Sequence, residues 1–198
     1  QRAMVDGQIE DINEVARVID LVRQRLEDRS GYKLQQVCVA AAGRTLKTCT
    51  AKYSLTVDNR APINYQNIAE LEIGAVDEAC RIIDSQNEQA FDYYCVGYSV
   101  SRYDLDGYAV KNLLDHQGKV ISVEIIATFL PQHVIESLYS AVQKAGLQVA
   151  SLTLEPLAAM NAIIPEELRL LNLALVDIGA GTSDIAVSNE GHICAYGM

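Results

Sequence analysis

The fold is decided by one stretch, Leu173-Ala174-Leu175-Val176-Asp177-Ile178-Gly179-Ala180-Gly181-Thr182-Ser183-Asp184-Ile185-Ala186-Val187. Its continuously apolar first part predicts a strand buried on both faces, and the residues from Asp184 onward predict a second strand. Gly179 and Gly181 allow a sharp bend between the two strands, because glycine lacks a Cβ and tolerates positive φ. The stretch therefore predicts a strand, a tight turn and a strand, with Asp177 at the carboxyl end of the first strand.

The turn has the residue types of a phosphate loop. Backbone amides from Gly179 to Ser183 are expected to face an anion, and Thr182 and Ser183 add hydroxyl donors. Asp177 is expected to hold a water on Mg²⁺, since direct contact with phosphates would bring like charges together. A β-hairpin whose tip happens to hold glycines is the alternative when only the GxGT pattern is considered.

The complete pattern is longer than GxGT, and it resembles the second phosphate loop of the actin-like ATPase superfamily. That superfamily includes actin, sugar kinases, heat-shock chaperone ATPases and bacterial filament proteins. The residues that follow fit as well, because Asn189-Glu190-Gly191 predicts a turn and the strand from His192 continues an antiparallel meander. The resemblance implies ATP and Mg²⁺ as cofactors, Asp177 as the metal residue acting through water, and a phosphate-binding set formed by Gly179, Ala180, Gly181, Thr182, Ser183 and Asp184.

Composition excludes several other classes of function. The chain has 198 residues, 49% of them hydrophobic, and a net charge of −10, which argues against a nucleic-acid partner. No apolar stretch reaches transmembrane length. The five cysteines have no CxxC spacing, which favours reduced core thiols over zinc or disulfides. The histidines lack ligand spacing too, so no metal site is predicted at His116, His133 or His192.

Helical and strand periodicities alternate along the chain, which predicts an α/β fold. Helices are predicted at 12–30, 68–82, 131–145 and 155–163. Strands are predicted at 37–42, 45–57, 120–129 and 147–154, together with a hairpin at 94–110 that turns at Asp106-Gly107.

The segment from about Arg44 to Lys119 has the order strand, helix, strand, strand, and it lies between two parts of a βαβ-type layer. This order resembles the small SHS2-type domain that FtsA-like cell-division proteins carry in place of one actin subdomain. The fold predicted is α/β, an actin-like ATPase (ribonuclease H-like) layer with an inserted small α+β domain. The predicted divisions are 1–43 and 121–165 for the first actin-like subdomain, 44–120 for the insertion, and 166–198 for the start of the second half.

The ends of the sequence suggest a piece of a longer protein. Gln1 takes the place of a starting methionine, and Met198 falls inside the predicted meander. The chain is therefore expected to be truncated at both ends, without the first phosphate loop, the adenosine loop and the C-terminal tail of the family.

Glu155-Pro156 resembles the linker helix between the two halves of the superfamily fold. The resemblance implies that Glu155 helps to position water, which gives the predicted catalytic pair Glu155 and Asp177. The alternative is that Glu155 only favours the N-terminal end of a helix dipole. Hydrolysis of ATP is expected to be weak at most, since no side chain is committed to general base chemistry.

For the full-length protein, the resemblance implies an ATP-binding filament protein of bacterial cell division, with copies of itself, the tubulin-like division protein and other division proteins as partners. It also implies a cytoplasmic location at the inner membrane, reached through a tail outside these residues. A pilus-assembly adaptor of the same branch, binding a peptide from a membrane partner, is the first alternative. A small-molecule kinase is the weaker one, because the insertion occupies the region where kinases place substrate-binding segments.

Overall fold

The computed structural model describes residues 3–5, 7–41, 45–87, 92–168, 171–179, 182–189 and 192–197. The helices are α1 (Ile12–Ser30), α2 (Tyr65–Ser85), α3 (Gln132–Lys144) and α4 (Glu155–Ile163). The strands are β1 (Met4–Val5), β2 (Gln8–Ile9), β3 (Gln36–Ala41), β4 (Lys47–Thr56), β5 (Tyr93–Leu105), β6 (Tyr108–Val110), β7 (Val120–Pro131), β8 (Gln148–Leu154), β9 (Leu173–Ile178), β10 (Ser183–Asn189) and β11 (His192–Gly197). The predicted alternation of helices and strands is confirmed, but the short β1–β2 hairpin was not predicted.

Helix α1 begins and ends where local chemistry requires. The Asp11 carboxylate accepts hydrogen bonds from the backbone N–H groups of Asn13 and Glu14, both at 3.0 Å. Gly31 ends the helix with a φ of 73°, a left-handed conformation that favours glycine. The helix packs on α3, while β3 and β8 pair in parallel beside it.

The apolar stripe of α1 is only partly covered. Ala16 is buried, but Val22 and Leu26 remain about half exposed. They border an apolar groove that Leu34 and Leu147 also line. The predicted apolar stripe therefore lies on the expected face of α1. Within the described residues, α3 covers only one side of this stripe.

Glu27 is a buried carboxylate that joins the end of α1 to the segment before β3. It accepts hydrogen bonds from Lys33 Nζ at 2.7 Å and from the backbone N–H of Leu34 at 3.0 Å. These bonds, together with the charges of Lys33 and Arg23, hold the pKa of Glu27 below its ordinary value of 4.5.

We expect Glu27→Gln to lower the melting temperature at neutral pH and to flatten the pH dependence of stability in acid. A lowered folded-state pKa gives stability that is present above the ordinary pKa and is lost as the pH falls through the folded value. Thermal melts between pH 3 and pH 7 measure this slope, with the exposed neighbour substitution Asp28→Asn as the matched control. Equal slopes in the wild type and Glu27→Gln would show that the ionised carboxylate does not stabilise this junction.

Residues 47–87 and 92–131 form one packed unit, the α2 unit, which consists of α2 and a four-stranded antiparallel sheet of order β4-β7-β5-β6. The core between the helix and the sheet contains Leu71, Ile125 and Phe129, each at most 1% exposed. Strand β7 is the centre of this sheet and pairs with β4 and β5 along its length. The domain boundary predicted between residues 120 and 121 would therefore separate β7 from β4 and β5, the two strands with which it pairs.

Gly74 lets α2 approach the sheet closely. A Cβ built on Gly74 would lie 2.6 Å from Cδ1 and 2.7 Å from Cζ of the half-buried Tyr53 ring on β4. Such distances are too short for a real contact, so Tyr53 would have to move.

We expect Gly74→Ala to lower the free energy of unfolding by about 1 kcal/mol, because the overpacking cost exceeds the helix propensity gained from alanine. In a Tyr53→Ala background the same substitution should raise it by about 1 kcal/mol, since only the propensity gain remains. Urea denaturation of the four proteins measures both values. A stabilising effect in both backgrounds would refute the close approach of α2 to Tyr53.

A separate three-stranded sheet has the order β11-β10-β9 and is antiparallel throughout, as the predicted meander requires. Helix α4 packs on one face of it, where Ala186 and Ile193 are buried. On the opposite face, Val176 is 53% exposed and Ile178 is 79% exposed. The prediction that β9 is buried on both faces is therefore wrong for the described residues, since only the α4 side is covered.

None of the helices in the described ranges combines the length and the apolar character that crossing a membrane requires. The cysteines are free thiols, but Cys38 and Cys194 are exposed and so are not the core thiols that composition predicted.

Candidate functional site

The β9–β10 hairpin places two predicted site residues directly opposite each other. The antiparallel register pairs Asp177 with Asp184, and Ile178 with Ser183. At the tip, the Gly179 N–H donates a hydrogen bond to the Thr182 carbonyl oxygen at 2.9 Å. The predicted site residues Ala180 and Gly181 lie outside the described residues.

This tip changes the expected role of Gly179. The prediction was that its backbone amide faces an anion, but that N–H closes the turn instead. A Cβ at this position would lie 3.2 Å from the Thr182 carbonyl oxygen, which is tighter than most real contacts. Gly179 therefore allows the turn to be tight. Among the described residues of the tip, the side chains that could donate to an anion are the hydroxyl groups of Thr182 and Ser183.

The two aspartates share the face of the sheet that packs on α4. Along β10 the buried positions alternate, and Asp184 is only 6% exposed while Ala186 is fully buried. Thr182 Oγ1 lies 3.5 Å from Asp184 Oδ2, within the outer limit for a donated hydrogen bond. Ser183 is exposed, and because it pairs with Ile178 it projects from the opposite face of the hairpin.

Glu155 reaches this face from a different element. Strand β8 ends at Leu154 and α4 begins at Glu155, with Pro156 in the first turn, where a missing N–H costs no helical hydrogen bond. Both bounds of α4 agree with the prediction from sequence. Helix α4 packs against β9 and β10, so its acidic first residue comes under the influence of the two aspartates.

Electrostatics show that the three carboxylates act on one another. Glu155 is exposed to solvent on one side, but partial desolvation, followed by the charges of Asp184 and Asp177, raises its pKa. Burial also raises the pKa of Asp184, and the charge of Asp177 adds to this while the bond from Thr182 opposes it. Glu155 and Asp184 are thus harder to ionise than they would be alone, and a bound cation would favour their charged forms.

Within the described ranges, no lysine or arginine forms an ion pair with these three acids. The same residues contain no group of three or more acidic, histidine or cysteine side chains close enough to hold a bare metal ion. The site therefore has uncompensated negative charge, without the spacing for direct chelation by protein alone.

Sequence reasoning missed one residue of this region, Tyr196 on β11. It pairs with Ala186 of β10 and so lies on the same face as Asp184. The period-two alternation of the strand was the signal that could have found it.

The alternation of helices with parallel and antiparallel sheets defines a mixed α/β protein. The structure is similar to that of a PilM-PilN type IV pilus biogenesis complex, with a TM-score of 0.61 and 13% identity, covering 98% of this chain and 50% of that one. More particularly, the chain is FtsA-like.

Two curated relatives are similar to the chain over most of its length. Cell division protein FtsA of Bacillus subtilis is 25% identical over 191 residues, covering 94% of this chain and 41% of the relative. FtsA of Escherichia coli K12 is 21% identical over 195 residues, which cover 96% of this chain and 43% of that relative. No family model matches the chain. The chain thus spans about two fifths of the length of these relatives.

Proposed function

We propose that the β9–β10 hairpin, together with Glu155 of α4, binds the phosphates and magnesium of ATP. The observation that carries this proposal is the convergence of Glu155, Asp177 and Asp184, which form no ion pair within the described ranges, beside the Thr182 hydroxyl at the hairpin tip. The FtsA-like character of the chain supports the same ligand, because that resemblance implies a phosphate loop at this hairpin.

The residues present fit magnesium nucleotide better than a bare ion. Mg²⁺ prefers oxygen ligands and keeps several of its waters, so carboxylates that would reach it through those waters suit it. Bound Mg²⁺ supplies positive charge that offsets the phosphate oxygens and the repulsion among the acids. Asp177 would accept hydrogen bonds from water on the metal, Thr182 and Ser183 would donate hydrogen bonds to phosphate oxygens, and Glu155 would orient a water.

The direct test is calorimetric titration of Mg-ATP into the full-length protein that contains this chain. We expect saturable binding that is weakened when EDTA removes the metal. A folded protein that shows no heat of binding and no ATP-induced rise in melting temperature would refute the proposal.

At the level of the whole protein, we propose an actin-like role in bacterial cell division. ATP binding would promote filaments of the protein, and the α2 unit would be the inserted domain that meets neighbouring subunits and other division proteins. The tubulin-like division protein and the cytoplasmic face of the inner membrane are the further partners. Turnover of ATP is slow at most, since none of the three acids is held as a dedicated general base.

The similarity to the PilM-PilN complex favours a second candidate, an adaptor in type IV pilus assembly. The two roles differ in what ATP does to the protein. Sedimentable filaments on lipid in the presence of ATP support the division role. Binding of one membrane-partner peptide by a protein that stays unpolymerised supports the adaptor role.

A further inference from the structure

Tyr196 lies where the phosphate-site sheet meets the rest of the molecule. Its ring packs in the apolar cluster of Met160, Ala186 and Ile193, which forms the core between α4 and the β9–β11 sheet. The same ring also packs against a second cluster, to which β5 and β7 contribute Val96 and Leu130. Tyr196 therefore belongs to both cores.

The hydroxyl group of Tyr196 adds a polar link to this packing. It lies 3.2 Å from Ser99 Oγ on β5, and the two residues are 97 positions apart in the chain. The neighbouring Tyr98 donates its hydrogen bond to Glu72 of α2. Strand β5 thus connects to α2 through Tyr98 and to the β9–β11 sheet through Ser99.

Burial raises the pKa of the Tyr196 phenol, so the hydroxyl stays protonated and keeps its hydrogen-bonding capacity at neutral pH. A hydrogen bond shielded from water also has more influence on position than an exposed one.

We propose that the hydrogen bond between Tyr196 and Ser99 couples the position of the α2 unit to the phosphate site, so that loss of this bond lowers the affinity for Mg-ATP. This inference rests on the proposed Mg-ATP function. Tyr196 and Asp184 project from the same face of adjacent, paired strands, so a shift of β11 against β5 moves the carboxylate. Tyr196 is a positioning residue, because it acts on Asp184 through the paired strand β10.

The test uses Ser99→Ala in the full-length protein, because this change removes the link and leaves every phosphate-site residue intact. Loss of one such hydrogen bond is expected to weaken Mg-ATP binding by about two- to tenfold. It should also speed amide hydrogen exchange at residues 183–189 in the absence of nucleotide. Tyr196→Phe should reproduce both effects, and the double variant should add little to either single change.

Ser101→Ala is the matched control. Ser101 lies on the same strand, and its hydroxyl donates to the Glu124 carbonyl oxygen at 3.0 Å, a bond that stays inside the α2 unit. We expect this variant to leave both measurements unchanged, which separates coupling from a general loss of stability.

Two results would overturn the coupling. The first is wild-type Mg-ATP affinity in Ser99→Ala. The second, which applies even when the wild type binds no Mg-ATP and the proposed function has failed, is unchanged exchange at residues 183–189 in Ser99→Ala. Faster exchange there in Ser99→Ala but not in Ser101→Ala supports the link between β11 and β5 in either case.

Discussion

Asp177→Ala is expected to weaken Mg-ATP binding by about tenfold to a hundredfold, the range found when a side chain that orients metal-bound groups is removed. Asp177 lies at the end of β9 directly opposite Asp184, where it can accept hydrogen bonds from water on the metal. Calorimetry with the full-length protein measures the loss, and it should be larger with Mg²⁺ present than with EDTA. The loss should leave the melting temperature without nucleotide unchanged or higher, since a repelling charge is removed.

Asp77→Ala provides the control for total charge. Asp77 is an exposed acid on α2, remote in the fold from the hairpin, and its removal changes the net charge by the same amount. We expect unchanged Mg-ATP affinity in this variant. Equal weakening by Asp77→Ala and Asp177→Ala would mean that long-range charge, not a local contact, governs binding.

Asp184→Asn is expected to act in opposite directions on stability and on binding. Asparagine keeps the shape and an acceptor for Thr182, but it removes a buried charge that directly opposes Asp177. Like charges at directly paired positions are destabilising, so the nucleotide-free protein should gain about 1 kcal/mol in its free energy of unfolding. Affinity for Mg-ATP should fall by about tenfold, because the charge that complements the cation is lost.

Urea denaturation with and without Mg-ATP measures both parts of the Asp184→Asn prediction. Without ligand, the variant should have a higher free energy of unfolding than the wild type. Addition of Mg-ATP should raise that free energy by less in the variant than in the wild type. Loss of stability without ligand would show that the Asp184 charge is compensated in the folded protein, contrary to the site described above.

Features set by local chemistry were predictable from the sequence. The bounds of α4 follow from Glu155-Pro156 at its start, and the end of α1 follows from Gly31. The hairpin of β9 and β10 was predictable for the same reason. Its two apolar runs are separated by a short segment that contains glycines, hydroxyl residues and aspartates.

Features set by distant pairing were not predictable. The apolar run of β9 does not say which of its faces a helix will cover, and Val176 is exposed because α4 lies on the other side. The run of β7 likewise does not say that both of its edges pair within the α2 unit. The meeting of Glu155 with Asp177 and Asp184 depends on how α4 packs across the sheet, which no local pattern contains.

Hydrogen exchange of the full-length protein with and without Mg-ATP is the most direct test of the phosphate site. We expect Mg-ATP to slow exchange of the described amides between residues 177 and 184 and in the first turn of α4, and to do so only when Mg²⁺ is present. Binding of Mg-ATP with protection confined to other parts of the protein, and no change at the hairpin, would contradict the assignment of this site.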